Sequence, residues 1–262
     1  MKNLNITHLV ESWIHVSPSF PIKEPPVNIF QVIARANMLG TDTNDPSSKG
    51  GKVYSEPQNL PTAIASILNH AENRANFHPQ SQSGERLVCD FINYLQQIDL
   101  TPFFSLTKNE STVNKFESKN YNVLIDQIIS LYDGVLSKSD ENAMRKSIAD
   151  MAKSVFGRDP LSDQKTIFLM TTIDMVNPLI PRILIYYTTL HMKYVKGKSE
   201  IVLQEYQVNK QEYVVLPDLI RACANKLSIL PRISVDQWII ESTSPERVNA
   251  KLCFKISEAQ RN

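Results

Sequence analysis

The sequence predicts an α+β protein: a mainly helical body over about residues 1–177, then a small antiparallel sheet of two β-hairpins with one intervening helix over about 182–258. Three observations carry that reading. Apolar residues recur at helical spacing in the first two thirds of the chain and alternate, as in strands, in the last third. β-Branched and aromatic residues concentrate from Ile183 onward. No linker-like change of composition separates the parts near 175–182, so 262 residues with 42% apolar content read as one compact domain.

From the N-terminus, residues 4–16 suit an amphipathic helix, with Ile6, Leu9, Val10, Trp13 and Ile14 on one face. SPSFPIKEPP (17–26) follows as a proline-stiffened strap. Asn28 reads as the start of a short helix that stops at Gly40: Gln31 stands where a capping box needs it, and Val27 can staple against Val32. The polar stretch 41–60 is a loop of a length that is usually functional or mobile. Pro61 opens a helix carrying Ile64, Ile67, Leu68, Ala71 and Ala75. Ser83 precedes another, with Leu87, Val88, Phe91, Ile92, Leu95 and Ile98 inward and Pro102 after it. Helices are also expected over about 112–135, over 139–156, and from a Ser162 cap to about 175.

Beyond that point RILIYYTTLHMKYV and EIVLQEYQV form a hairpin about KGKS, and Pro217 opens a helix. VDQWIIES and ERVNAKLCFKIS complete the sheet, whose alternation predicts one covered face and one nearer solvent. There is no internal repeat and no sustained heptad.

Charge and cysteine content narrow the function classes. The net charge is +1, split as −3 over residues 1–181 and +4 over 182–262, so nothing compels a polyanionic partner. Cys89, Cys223 and Cys253 fit neither a zinc spacing nor a disulfide framework. The N-terminus lacks the apolar run of a secretory signal, so a soluble cytoplasmic protein is the default, or one exported by a route without a cleavable signal. Residues 167–187 are the most apolar stretch, but Asp174, Arg182, Pro178 and Pro181 interrupt it. A buried helix, a Pro-x-x-Pro turn and the start of a core strand fit it better than a membrane span.

No catalytic, cofactor-binding or metal-ligating set stands out. The seven glycines form neither Gly-x-Gly-x-x-Gly nor Gly-x-x-x-x-Gly-Lys, and Gly-x-Ser-x-Gly is missing. His8, Glu11 and His15 share a polar helix face, but the two histidines lie about 10 Å apart along the axis, too far for one ion. His70 and His78 also lack a ligand spacing. Asp174 and Arg182, charges inside an apolar stretch, are expected to pair across the proline turn because an unpaired buried charge is costly.

The sequence therefore points first to a non-enzymatic interaction or assembly protein whose partner is another protein. Its contacts would come from the 41–58 loop (Lys49, Lys52, Tyr54) and the two C-terminal hairpins, the first carrying Lys193, Tyr194, Lys196 and Lys198 at its tip. The alternatives are a membrane-active or toxin-associated protein, and an enzyme whose site gathers dispersed residues. Long helices beside the 167–187 stretch resemble helical pore-forming cytolysins in broad outline, which would imply a membrane-inserting state.

Overall fold

The β-branched run that begins at Arg182 is the middle of the molecule's sheet. The computed structural model describes residues 6–15, 31–39, 53–78, 84–118, 164–194 and 202–238, with Val123, Asp126, Gln127, Ser130, Asn142 and Arg145. Helix α1 is Ile6–His15, α2 Leu60–Ala75, α3 Gly84–Leu100, α4 Pro217–Ala222 and α5 Ala224–Leu227. The strands are β1 (Gln31–Leu39), β2 (Phe104–Ser118), β3 (Gln164–Asp174), β4 (Arg182–Tyr194) and β5 (Val202–Val215). They form one five-stranded sheet in the order β1-β3-β4-β5-β2. β3, β4, β5 and β2 pair antiparallel, and β1 lies parallel to β3 with Gln31 opposite Lys165.

The fold is α+β, but the sheet draws on the whole chain rather than on its last third. β1 replaces the helix expected over 28–40, β2 occupies the first part of the one expected over 112–135, and β3 replaces the one capped by Ser162. Each misreading has a local cause. QVIARANML and TIFLMTTID are short apolar runs whose periodicity does not separate helix from strand. FSLTKNESTVNKFES is largely polar and edges the sheet, so it carries little apolar signature of either kind. VDQWIIES is also not a strand where it is described, since residues 235–238 are helical. The strap 17–26, the helix expected at 139–156 apart from helical Asn142 and Arg145, and the last strand 246–257 lie outside the described residues.

Helices α1, α2 and α3, the β4–β5 pairing and the Pro217 helix form as their local signals require. Pro61 stands in the first turn of α2, and Asn76 ends that helix at φ 53°, in the left-handed region where Asn is tolerated. α2 and α3 pack on one face of the sheet: Ile64, Ile67, Leu68, Tyr94 and Ile98 join Leu169, Ile173, Ile183, Ile185, Tyr213 and Val215 in one buried cluster. Phe91 stacks on Tyr187 at 5.1 Å. Met170, Thr172, Leu184 and Tyr186, on the alternate positions of β3 and β4, are buried as well. Both faces of the central strands are thus covered, contrary to the expectation of one face near solvent, and the unbroken apolar run ILIYY in β4 is the composition that this demands.

The segment after α5 closes the helical side. Ile233 and Ser66 exchange two bonds, the Ile233 amide donating to Ser66 Oγ at 3.2 Å and that hydroxyl donating to the Ile233 carbonyl at 3.4 Å. Ser234 Oγ then accepts from the Gln237 amide at 3.1 Å, capping the helical turn that buries Val235 and Trp238.

Candidate functional site: an apolar turn above an ion cluster

β3 and β4 are joined by MVNPLIP, residues 175–181, at one end of the sheet. Asn177 and Pro178 suit the first two places of a β-turn, and the Ile180 amide closes it by donating to the Asn177 carbonyl at 3.0 Å. The Leu179 amide donates to Asn177 Oδ1 at 3.1 Å, and the Val176 amide to Asp174 Oδ1 at 3.0 Å. Pro178 and Pro181 carry no N–H. The Pro181 carbonyl accepts from Val215 at 2.9 Å, which ties the turn to the end of β5.

The side chains at the tip of this turn, 176–180, are exposed, while Met175 packs against the core and Pro181 is buried. Leu179 is 84% exposed, Val176 78% and Ile180 53%. Leu216, whose amide donates to the Phe103 carbonyl at 2.9 Å, and Leu100, at the end of α3, add exposed apolar surface at the same end of the sheet. Isolated exposed leucines are ordinary in folded proteins; a run of them on one tight turn is not.

An ion cluster sets the base of the turn. Asp174 and Arg182 stand opposite each other in the β3–β4 register. Arg182 Nε donates to Asp174 Oδ2 at 3.0 Å and Nη2 to the same oxygen at 2.5 Å, while Nη1 donates to Glu212 Oε1 at 3.2 Å. The two carboxylates are nearly buried, whereas the Arg182 side chain is 41% exposed. The hydrogen bond to Asp174 is the main reason that the Arg182 pKa moves further up. An irregularity in β2 at Thr107 brings Lys108 opposite Glu212, with Nζ at 3.9 Å from Oε2, and Thr107 Oγ1 donates to the Glu212 carbonyl at 3.0 Å. The cluster meets the expectation that Asp174 and Arg182 pair across the proline turn; Glu212 and Lys108 join them only because β5 and β2 lie alongside.

The residues expected to contact a protein partner are not brought together here. Tyr54 is 3% exposed, and burial pushes its hydroxyl up to about 12, so it packs in the interior instead of lining a contact surface. Its apolar ring fills the space beside α2 more favourably than it would meet water. Lys193 and Tyr194 end β4 opposite Leu203 and Val202, roughly 40 Å from the apolar turn at the usual strand rise. Lys49, Lys52, Lys196 and Lys198 lie outside the described residues. Composition alone hid the apolar turn, because VNPLIP reads as core when the element that would cover it is unknown. Among the described residues, no three His, Cys, Asp or Glu side chains converge as a metal site, and no helix is long and apolar enough to cross a membrane.

No protein-family model matches the sequence, and no curated protein matches it. Solved structures resemble it in fold outline. The structure of the Evf virulence factor aligns at 12% identity and a TM-score of 0.44, covering 88% of this chain and 91% of that one. A delta-endotoxin aligns at 11% and 0.42, over 78% and 96% of the two chains. The activated Cyt2Ba monomer from Bacillus thuringiensis subsp. israelensis aligns at 12% and 0.39, over 72% and 99%. Similarity of this degree is too distant to assign a function, which is argued below from this chain's own residues.

Proposed function

We propose that the protein docks on lipid membranes through the 175–181 turn. The observation that carries this reading is the exposure of Val176, Leu179 and Ile180 on a turn whose backbone donors at 176, 179 and 180 are already bonded within the protein. Hydrocarbon offers no partner to a free N–H, so the three bonded amides, with Pro178 and Pro181 carrying no N–H, lower the polar cost of burying the tip. A flat protein partner would be served better by a broad patch than by a projecting tip.

The magnitude fits reversible docking. Full burial of one such aliphatic side chain is worth about 1.5–3 kcal/mol, so the three together, scaled by their exposure, contribute about 3–6 kcal/mol. That is close to the effect of a single myristoyl chain, which binds membranes with an association constant on the order of 10⁴ M⁻¹. Contact through the turn is therefore transient unless a second contact adds to it.

The test is flotation of the full chain with phosphatidylcholine vesicles, with dye leakage read in parallel. The wild-type chain is expected to float with millimolar lipid, and Leu179→Ser to lower the bound fraction by roughly tenfold in apparent affinity. A wild-type chain that stays at the bottom of the gradient refutes docking and favours the other reading of the turn, a protein partner. Leakage with flotation would extend the activity to permeabilisation; flotation alone would limit it to docking.

A further inference from the structure

Besides burying Val10 and Ile14 in the core, helix α1 makes polar or ring contacts with the body at two places among the described residues. Glu11 pairs with Lys226 of α5. At the other, Trp13 packs its ring edge-on against His70 of α2 at 5.0 Å and against Phe103 at 6.0 Å, and its Nε1 donates to the Gln97 carbonyl of α3 at 3.0 Å. His70 bonds the backbone of Ile14, so the imidazole bridges α2 and α1 directly.

The surroundings of that ring favour its neutral form, with the Ile14 backbone acting the other way. His70 Nε2 is occluded and has no hydrogen-bond partner. One helical turn on, Arg74 holds a guanidinium whose Nε and Nη2 are occluded and unpartnered too. Among the described residues, the charged groups that act on His70 are Arg74 from α2 and His15 from α1; α3 faces the junction with a carbonyl and Phe103 with a ring. Among the described residues a proton on the occluded Nε2 would find no carboxylate, and it would add a second cation beside Arg74.

We propose that the α1–α2 junction is an acid-sensitive latch, in which protonation of His70 releases α1 from the body. Docked, the imidazole is held neutral down to about pH 4, first by burial and then by Arg74, against an ordinary value of 6.5. The sign follows from that depression. Released, His70 takes up a proton near pH 6.5; docked, it does not until about 4. Docking is therefore at full strength above 6.5, weakens as pH falls through that window, and weakens no further below 4. Between pH 7 and 5 the full shift would favour release by ~20-fold, and the ring's partial exposure reduces this to on the order of tenfold. Glu11, whose pKa Lys226 lowers from the ordinary 4.5, favours release only as pH falls toward that ordinary value, below the window from pH 7 to 5. The inference is independent of the lipid reading.

Hydrogen exchange on the full chain tests it. Corrected for intrinsic exchange, the α1 amides 10–15 should lose protection by about tenfold from pH 7 to pH 5, while those of α3 hold theirs. His70→Gln keeps His8 and His15 and should remove the dependence. A second readout that does not depend on the folding of that variant is the wild-type His70 proton titration by NMR, expected well below 6. Equal loss of α1 protection in wild type and His70→Gln, or a His70 midpoint near 6.5, overturns the latch.

Discussion

Replacing Arg182 by Met removes the cation that two nearly buried carboxylates share. Asp174 is 4% and Glu212 7% exposed, and among the described residues Lys108, at 3.9 Å from Glu212, remains to offset them. Stranding one member of a buried ion pair costs about 3–5 kcal/mol. Arg182 is itself 41% exposed, so water screens part of the interaction and the expected loss falls to about 2–3 kcal/mol. Asp174→Asn keeps an oxygen for the Val176 amide and leaves Arg182 with Glu212, so about 1–2 kcal/mol is expected. In the double variant position 174 is neutral and Glu212 still has Lys108, so the loss should be smaller than for Arg182→Met alone. The cycle then returns a coupling of about 2 kcal/mol. Urea unfolding of the four proteins at fixed ionic strength measures it. Losses that add within about 0.3 kcal/mol would refute the pairing as an energetic unit. Raising the salt to 1 M should change the coupling little, since Asp174 lies out of reach of the ions.

Other perturbations separate fold from function. Leu179→Ser, expected to weaken vesicle binding, should change the unfolding free energy by no more than about 0.5 kcal/mol in urea because the side chain already stands in water. Ser234→Ala removes the acceptor for the Gln237 amide and should lower stability by about 1 kcal/mol, read as a lower Tm. Ser66→Ala breaks both bonds to Ile233 inside the core; a loss of about 1–3 kcal/mol by urea unfolding is expected, and no change would show that the Ile233 backbone finds other partners.

Local signals were legible where the deciding contacts are local. Pro61 and Pro217 mark helix starts, the β-branched run of β4 announces a strand, and Asp174 and Arg182 meet because eight residues and a proline turn place them in register. Ser234 and Gln237 carry a readable capping pattern that the apolar residues around Trp238 outweighed. β1 and β3 were not legible, because a run such as QVIARANML becomes a strand only through a partner over 120 residues away. The same holds for the functional candidates. Sequence placed Tyr54 in a contact loop and the 175–181 residues at a core turn; packing buried the first beside α2 and left Val176, Leu179 and Ile180 projecting. Residue chemistry and spacing settle which groups are able to turn, cap or pair. Which of them face water depends on what the rest of the chain lays over them, a sum over distant contacts that only the tertiary structure performs.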